Sequence, residues 1–181
     1  MENRIGFGKR LAAYCIDAII VWGVAIVFGS AIGGLLGAGA GAALGGGQGG
    51  PGENAAMGGA LGAIFGAVVA AFVVGTVYFL VEGFTGWTFG KLLLGIQVAN
   101  ADGTPAASGT LLTRYALKNI SSIIGVVAFA THVGALRALG NLLGFIIFVG
   151  FFFVLGSARQ GFHDMIAKTA VYPRSLVRGA A

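Results

Sequence analysis

Charge is what this chain of 181 residues has least of: 9% Asp, Glu, Lys and Arg, against roughly 25% in soluble domains. With 57% hydrophobic residues and a mean hydropathy of +0.92, that scarcity excludes an ordinary water-soluble domain and makes the lipid bilayer the first expected partner. The net excess of five positive charges is too small and scattered for a nucleic-acid surface. Cysteine is nearly absent. Cys15 stands alone, cannot form an internal disulfide, and suits packing at the start of an apolar run. Histidine is almost as scarce, and His132 and His163 are predicted on opposite membrane sides, so no metal-ligand set can be assembled. Nucleophile, base and orienter do not come together anywhere, so the chain is read as a non-enzyme without a cofactor.

What is present is long apolar runs. From Leu11 to Leu44 the only formally charged residue is Asp17, and Ala55 to Val81 carries no charge; about 20 apolar residues suffice to cross the hydrocarbon core. A basic start (Arg4, Lys9, Arg10) before an apolar run is similar to a secretory signal, but the length and Asp17 favour a retained anchor. Between the two runs, residues 45–54 are rich in glycine and contain Pro51, which reads as a non-cytoplasmic turn. Residues 82–119 are more polar and should lie at the cytoplasmic surface. A further apolar stretch divides into Ile120–Leu136 and Leu139–Leu155, the first of which either crosses or is re-entrant or interfacial. Basic residues at the N-terminus, in the middle segment (Lys91, Arg114, Lys118) and in the tail at 157–181 (Arg159, Lys168, Arg174, Arg178) should all be cytoplasmic, which requires an even number of crossings. The expected architecture is a single all-α membrane domain over residues 1–181 with four transmembrane helices and both termini cytoplasmic. Ile96 to Asn100 and Thr169 to Tyr172 have strand-like composition and should pair as a small cytoplasmic β ribbon, with Asp102-Gly103 as a turn.

Glycine is not scarce but ordered. Gly29, Gly33, Gly37, Gly41 and Gly45 recur every fourth residue, as do Gly58, Gly62 and Gly66. Small residues at that spacing form a stripe that lets helix backbones approach closely, a glycine zipper that joins the first two helices or also builds a homo-oligomer or larger membrane complex.

Several segments share a pattern. The run Gly8-Lys9-Arg10-Leu11-Ala12-Ala13-Tyr14-Cys15-Ile16-Asp17 resembles the opening motif of the RDD family of bacterial membrane proteins. It is followed in order by Thr88 to Val98, by Asp102-Gly103, by Arg114-Tyr115 with Lys118, and by Gly161-Phe162-His163-Asp164 through Val171. The resemblance covers nearly the whole chain. It implies an integral protein of the bacterial inner membrane with a transport-type role, cation/proton exchange being suggested for some members. The second signature acid is either Asp102 or Asp164. The long glycine-rich region departs from the family's usual pattern and suggests a specialised packing role.

Chemistry is expected from a network of Arg10, Asp17, Lys91, Asp102, Arg114, Lys118, His163 and Asp164. Arg10 and Asp17 lie about 10 Å apart along one helix face, so Arg10 should snorkel to the headgroups while Asp17 takes a partner from Lys91, Arg114 or Lys118. The pair is either a structural lock or a cation- or proton-binding site. Lys91 fails as a phosphate-loop lysine, since Thr85 and Leu92 occupy positions that need Gly and Ser or Thr; it should meet a lipid phosphate or a carboxylate. Arg114 and Lys118, four apart, should share a helix face toward lipid headgroups. Asp164 should cap a short helix from Met165 to Lys168 or pair with an arginine. Two roles follow: a transport or accessory subunit for an unknown ligand, a cation among the candidates, is set against a glycine-zipper scaffold in a larger complex.

Overall fold

The computed structural model describes residues 3–44 and 50–177. The chain divides into two compact units, Ile16–Tyr78 on the one hand and Met1–Cys15 with Phe79–Ala181 on the other. Helix α1 (Phe7–Val24) runs through a π-helical turn at Ala25–Gly29 into α2 (Ser30–Leu44). Helix α3 (Pro51–Thr85) is a single helix of 35 residues. Its start at Pro51 suits a residue whose fixed φ is ready for the first helical turn, so the expected loop at 45–54 is already helical from Pro51; residues 45–49, including Gly45 of the stripe, lie outside the described residues.

In the unit Ile16–Tyr78, α2 and α3 approach backbone to backbone. A Cβ added at Gly33 would overlap the Gly62 carbonyl, one at Gly37 the Gly58 carbonyl, and one at Gly66 the Gly29 carbonyl. Glycine is required here because no side chain fits between the helices, and close van der Waals contact takes the place of a hydrophobic drive that lipid does not supply. Gly41 meets Asn54 and Gly58 in the same way. The opposite faces carry exposed Leu35, Leu36, Ile64, Phe65 and Phe72, as expected of helix surfaces solvated by acyl chains.

The other unit is built around a two-stranded antiparallel ribbon, β1 (Ile96–Asn100) and β2 (Thr169–Pro173), in the register Val98 to Val171. This is the ribbon expected from composition, extended by Pro173. Its inward side chains Ile96, Val98 and Val171 form the core with Ile5, Ala13 and Leu111. The N-terminal segment is fastened to it by the Ile5 amide, which donates to the Val171 carbonyl at 2.8 Å. Gly86 leaves α3 at φ +75° and accepts from the Val98 amide; a Cβ there would both strain the backbone and press on the Val98 carbonyl.

Helix α4 (Phe89–Leu93) is capped by the Thr88 side chain, and α5 (Ser108–Lys118) is separated from α6 (Ile120–Thr131) by Asn119 alone. α6 packs antiparallel to α7 (Gly134–Phe151), with Gly140 against Ile124 and Gly144 against Ser121. The break between them falls at His132 and Val133 rather than between Leu136 and Leu139. His132 adopts φ 56° and ends α6 in a left-handed turn, after which Gly134 restarts the helix and takes Arg137 into its first turn. A 3-10 turn (Phe152–Leu155) and the short helix α8 (Phe162–Ile166) lead into β2; α8 begins three residues before the expected Met165.

Three helices among the described residues are long and apolar enough to cross a membrane: Phe7–Ala43, Gly52–Thr85 and Gly134–Leu155. α6, at 12 residues, is about 18 Å long, short of a roughly 30 Å hydrocarbon core.

Candidate functional site

Arg10, in the first turns of α1, is 6% exposed, and its Nη1 donates to Asp164 Oδ2 at 2.5 Å. It also donates from Nε to the Ile5 carbonyl and from Nη2 to the Arg159 carbonyl, so every edge of the guanidinium is occupied. The expected snorkelling to headgroups does not occur, because a chain segment with a carboxylate closes over the side chain. Asp164, fully buried, accepts from Arg114 Nε at 2.6 Å through its other oxygen and from the Gly161 amide at 3.2 Å. It therefore both caps α8 and pairs with arginines.

Arg114 is 5% exposed and bridges two acids. Its Nη1 donates to Glu82 Oε1, the same oxygen that receives the Lys91 ammonium at 2.5 Å, and Lys118 approaches Glu82 Oε2 at 3.3 Å. Arg114 is thus drawn inward to carboxylates rather than out to lipid. Lys118, on the same face one turn later, is partly exposed and stands 5.3 Å over the Phe79 ring.

The electrostatics follow from this packing. Burial raises the cost of the Asp164 carboxylate, but Arg114 and Arg10 outweigh it and hold the group well below the ordinary carboxylate range. Burial works against the Arg114 cation too, and Asp164 with Glu82 more than compensates, so it stays charged. For Lys91 the balance tips the other way: burial brings its ammonium down to about 7 despite Glu82. Burial likewise pushes His163 down to about 4, against the pull of Asp164. The His163 ring stacks on Phe151, with Nε2 3.4 Å from Asp164 and Nδ1 buried without a partner; as a neutral ring it packs rather than pairs.

Of the residues expected to form the network, Arg10, Lys91, Arg114, Lys118, His163 and Asp164 come together. Asp102 does not join them; it accepts from the Thr104 amide and hydroxyl in an exposed turn. Asp17 belongs to the other unit, where it is 2% exposed and accepts from the Tyr78 hydroxyl at 2.7 Å. The bases expected to serve it engage Glu82 and Asp164. Glu82 was visible in the sequence only as the end of an apolar run, yet an acid in the last turns of a membrane helix is itself a site signal. Arg4 was missed as well: it donates to Tyr172, Gln160 and the carbonyls of Ala101 and Ala158, holding the N-terminal segment to the ribbon. Among the described residues no group of three His, Cys, Asp or Glu could hold a metal ion.

Long apolar helices, a backbone-packed glycine pair and a buried charge cluster define a helical membrane protein. The RDD family's sequence profile matches residues 4–168, and the chain belongs to that family. No curated protein and no solved structure matches it.

Proposed function

We propose that the protein is a non-enzymatic accessory or scaffold subunit of the bacterial inner membrane. The reading is carried by the sealing of the carboxylates: Asp164, Glu82 and Asp17 are 0%, 3% and 2% exposed, and bound by arginine, lysine and tyrosine side chains. A carboxylate that loads and unloads a cation needs a wetted approach, whereas one that ties segments together is best kept dry. The cluster joins α1, α3, α4, α5 and α8, so it works as a clasp on one side of the membrane. On this reading the chain crosses four times, the short α6 leading away from the clasp through a locally thinned bilayer and α7 returning to it. The clasp and both termini are cytoplasmic, in keeping with the basic residues around it. The glycine-zipper pair α2 and α3 supplies a rigid module whose outer apolar faces pack on lipid, a second copy or a larger complex.

A cation- or proton-coupled transport role is the second reading, favoured by Lys91, an ammonium brought to about 7 beside a carboxylate. Ion flux into proteoliposomes separates the two. Wild-type protein is expected to give background flux of sodium, potassium and protons. Flux above background that Asp17→Asn or Glu82→Gln abolishes would overturn the accessory reading in favour of transport.

A further inference from the structure

The charge cluster leaves one basic residue of the helical hairpin unused, at its far end. α6 runs from Ile120, beyond the break at Asn119, to its far end at Thr131. There α6, the left-handed turn and the first turns of α7 enclose an open cleft of about 570 Å³. Its lining combines Gly125, Ala128 and Phe129 with the polar His132, Arg137 and Asn141. Arg137 and Asn141 are four apart and so share a face of α7. Neither has a hydrogen-bond or ion-pair partner among the described residues.

Arg137, Asn141 and His132 are all exposed, so the guanidinium stands open to an anion at the edge of an otherwise apolar hairpin. We infer that this cleft is a binding site for the phosphate of an anionic phospholipid headgroup. Arg137 supplies a planar fork of donors suited to phosphate oxygens. Asn141 adds an amide donor and His132 a ring nitrogen to the same lining. A lipid fits better than free phosphate because the lining includes the apolar Ala128, Phe129 and Val133, and because Val126, Leu139 and Leu142 of the same two helices are exposed and offer surface for the acyl chains. The site is separate from the clasp and stands or falls independently of the accessory reading.

Native mass spectrometry of the full chain tests it, comparing adducts of short-chain phosphatidylglycerol and phosphatidylcholine, with inorganic phosphate as competitor. Wild-type protein is expected to retain phosphatidylglycerol preferentially, and Arg137→Gln to bind it about tenfold more weakly, the size of one charge-assisted hydrogen bond. Lys168→Gln, on the clasp side, should leave the preference intact. Gly125→Leu gives a second handle: nothing lies within 4 Å of a Cβ at that position, so the side chain should enter the cleft without disturbing the helix and weaken binding as much. Equal retention of the two lipids, wild-type binding in either cleft variant, or displacement of the lipid by equimolar phosphate would each overturn the assignment.

Discussion

Arg114 and Asp164, fifty positions apart in the chain, meet through Nε and Oδ1 at 2.6 Å with 5% and 0% of their surfaces exposed. Because Asp164 also holds Arg10, one carboxylate neutralises two buried guanidiniums, and its removal leaves both without their shared anion. Asp164→Asn is therefore expected to cost about 3–5 kcal/mol, the usual penalty for breaking a buried pair from one side. Asp102→Asn, in an exposed turn, should change stability by no more than about 0.5 kcal/mol. Chemical denaturation in detergent checks both, and similar losses for the two variants would show that the cluster is not the clasp described above.

Lys91 makes stability depend on alkaline pH. Its folded-state value is about 7 against an ordinary 10.5, so between those values the unfolded chain binds more protons than the folded one, and stability rises with pH. The penalty for burying the ammonium is fully present below about 7 and relieved as pH climbs toward 10.5. Thermal melting should accordingly shift upward from pH 7 to pH 9.5, and Lys91→Met should flatten that rise. A wild-type melting temperature that falls over this range would contradict the burial of the charged form.

How far the sequence anticipates such features depends on whether the cause is local. Strand composition at Ile96 to Asn100 and Thr169 to Tyr172 sufficed for the ribbon, since its alternating side chains must find a partner face. The four-residue glycine spacing likewise announced close helix packing, because regular small residues leave few other uses for a helix face. The identity of the clasp acid was not local. Glu82 and Asp17 both look like acids in apolar helices, and only the path of the chain through α4 and α5 brings Lys91 and Arg114 to Glu82. The turn at His132 was hidden for a related reason: positive φ is uncommon for any non-glycine residue even though histidine is enriched there, and Arg137 and Asn141 interrupt the apolar pattern as visibly as the residue where the backbone turns.

His163 acts on the acid side. Its value near 4, against an ordinary 6.5, means the unfolded chain takes up the proton first as pH falls through that window, so stability drops between pH 6.5 and pH 4. Asp164, also held below its ordinary value, adds a loss only at still lower pH. His163→Phe keeps the ring stacked on Phe151, removes the unpartnered Nδ1, and should flatten the decline between pH 6.5 and pH 4. An unchanged acid slope in this variant would assign the decline to another group.

The glycine pair makes the sharpest contrast, because two neighbouring positions should respond in opposite directions. At Gly37 an added Cβ would overlap the Gly58 carbonyl and press within 2.9 Å of the Gly62 Cα, whereas at Gly39 nothing lies within 4 Å. Both residues are helical and both would gain backbone rigidity from alanine, worth up to about 1 kcal/mol. At Gly39 nothing opposes that gain, so Gly39→Ala should be neutral or stabilising. At Gly37 the backbone of α3 must move away, and overpacking of this kind costs about 1–3 kcal/mol. Gly37→Ala should therefore be destabilising, and Gly37→Val more so, as read by thermal unfolding of the detergent-solubilised protein. If Gly37→Ala proved as harmless as Gly39→Ala, α2 and α3 would not be in backbone contact, and the small-residue stripe would have to serve another helix.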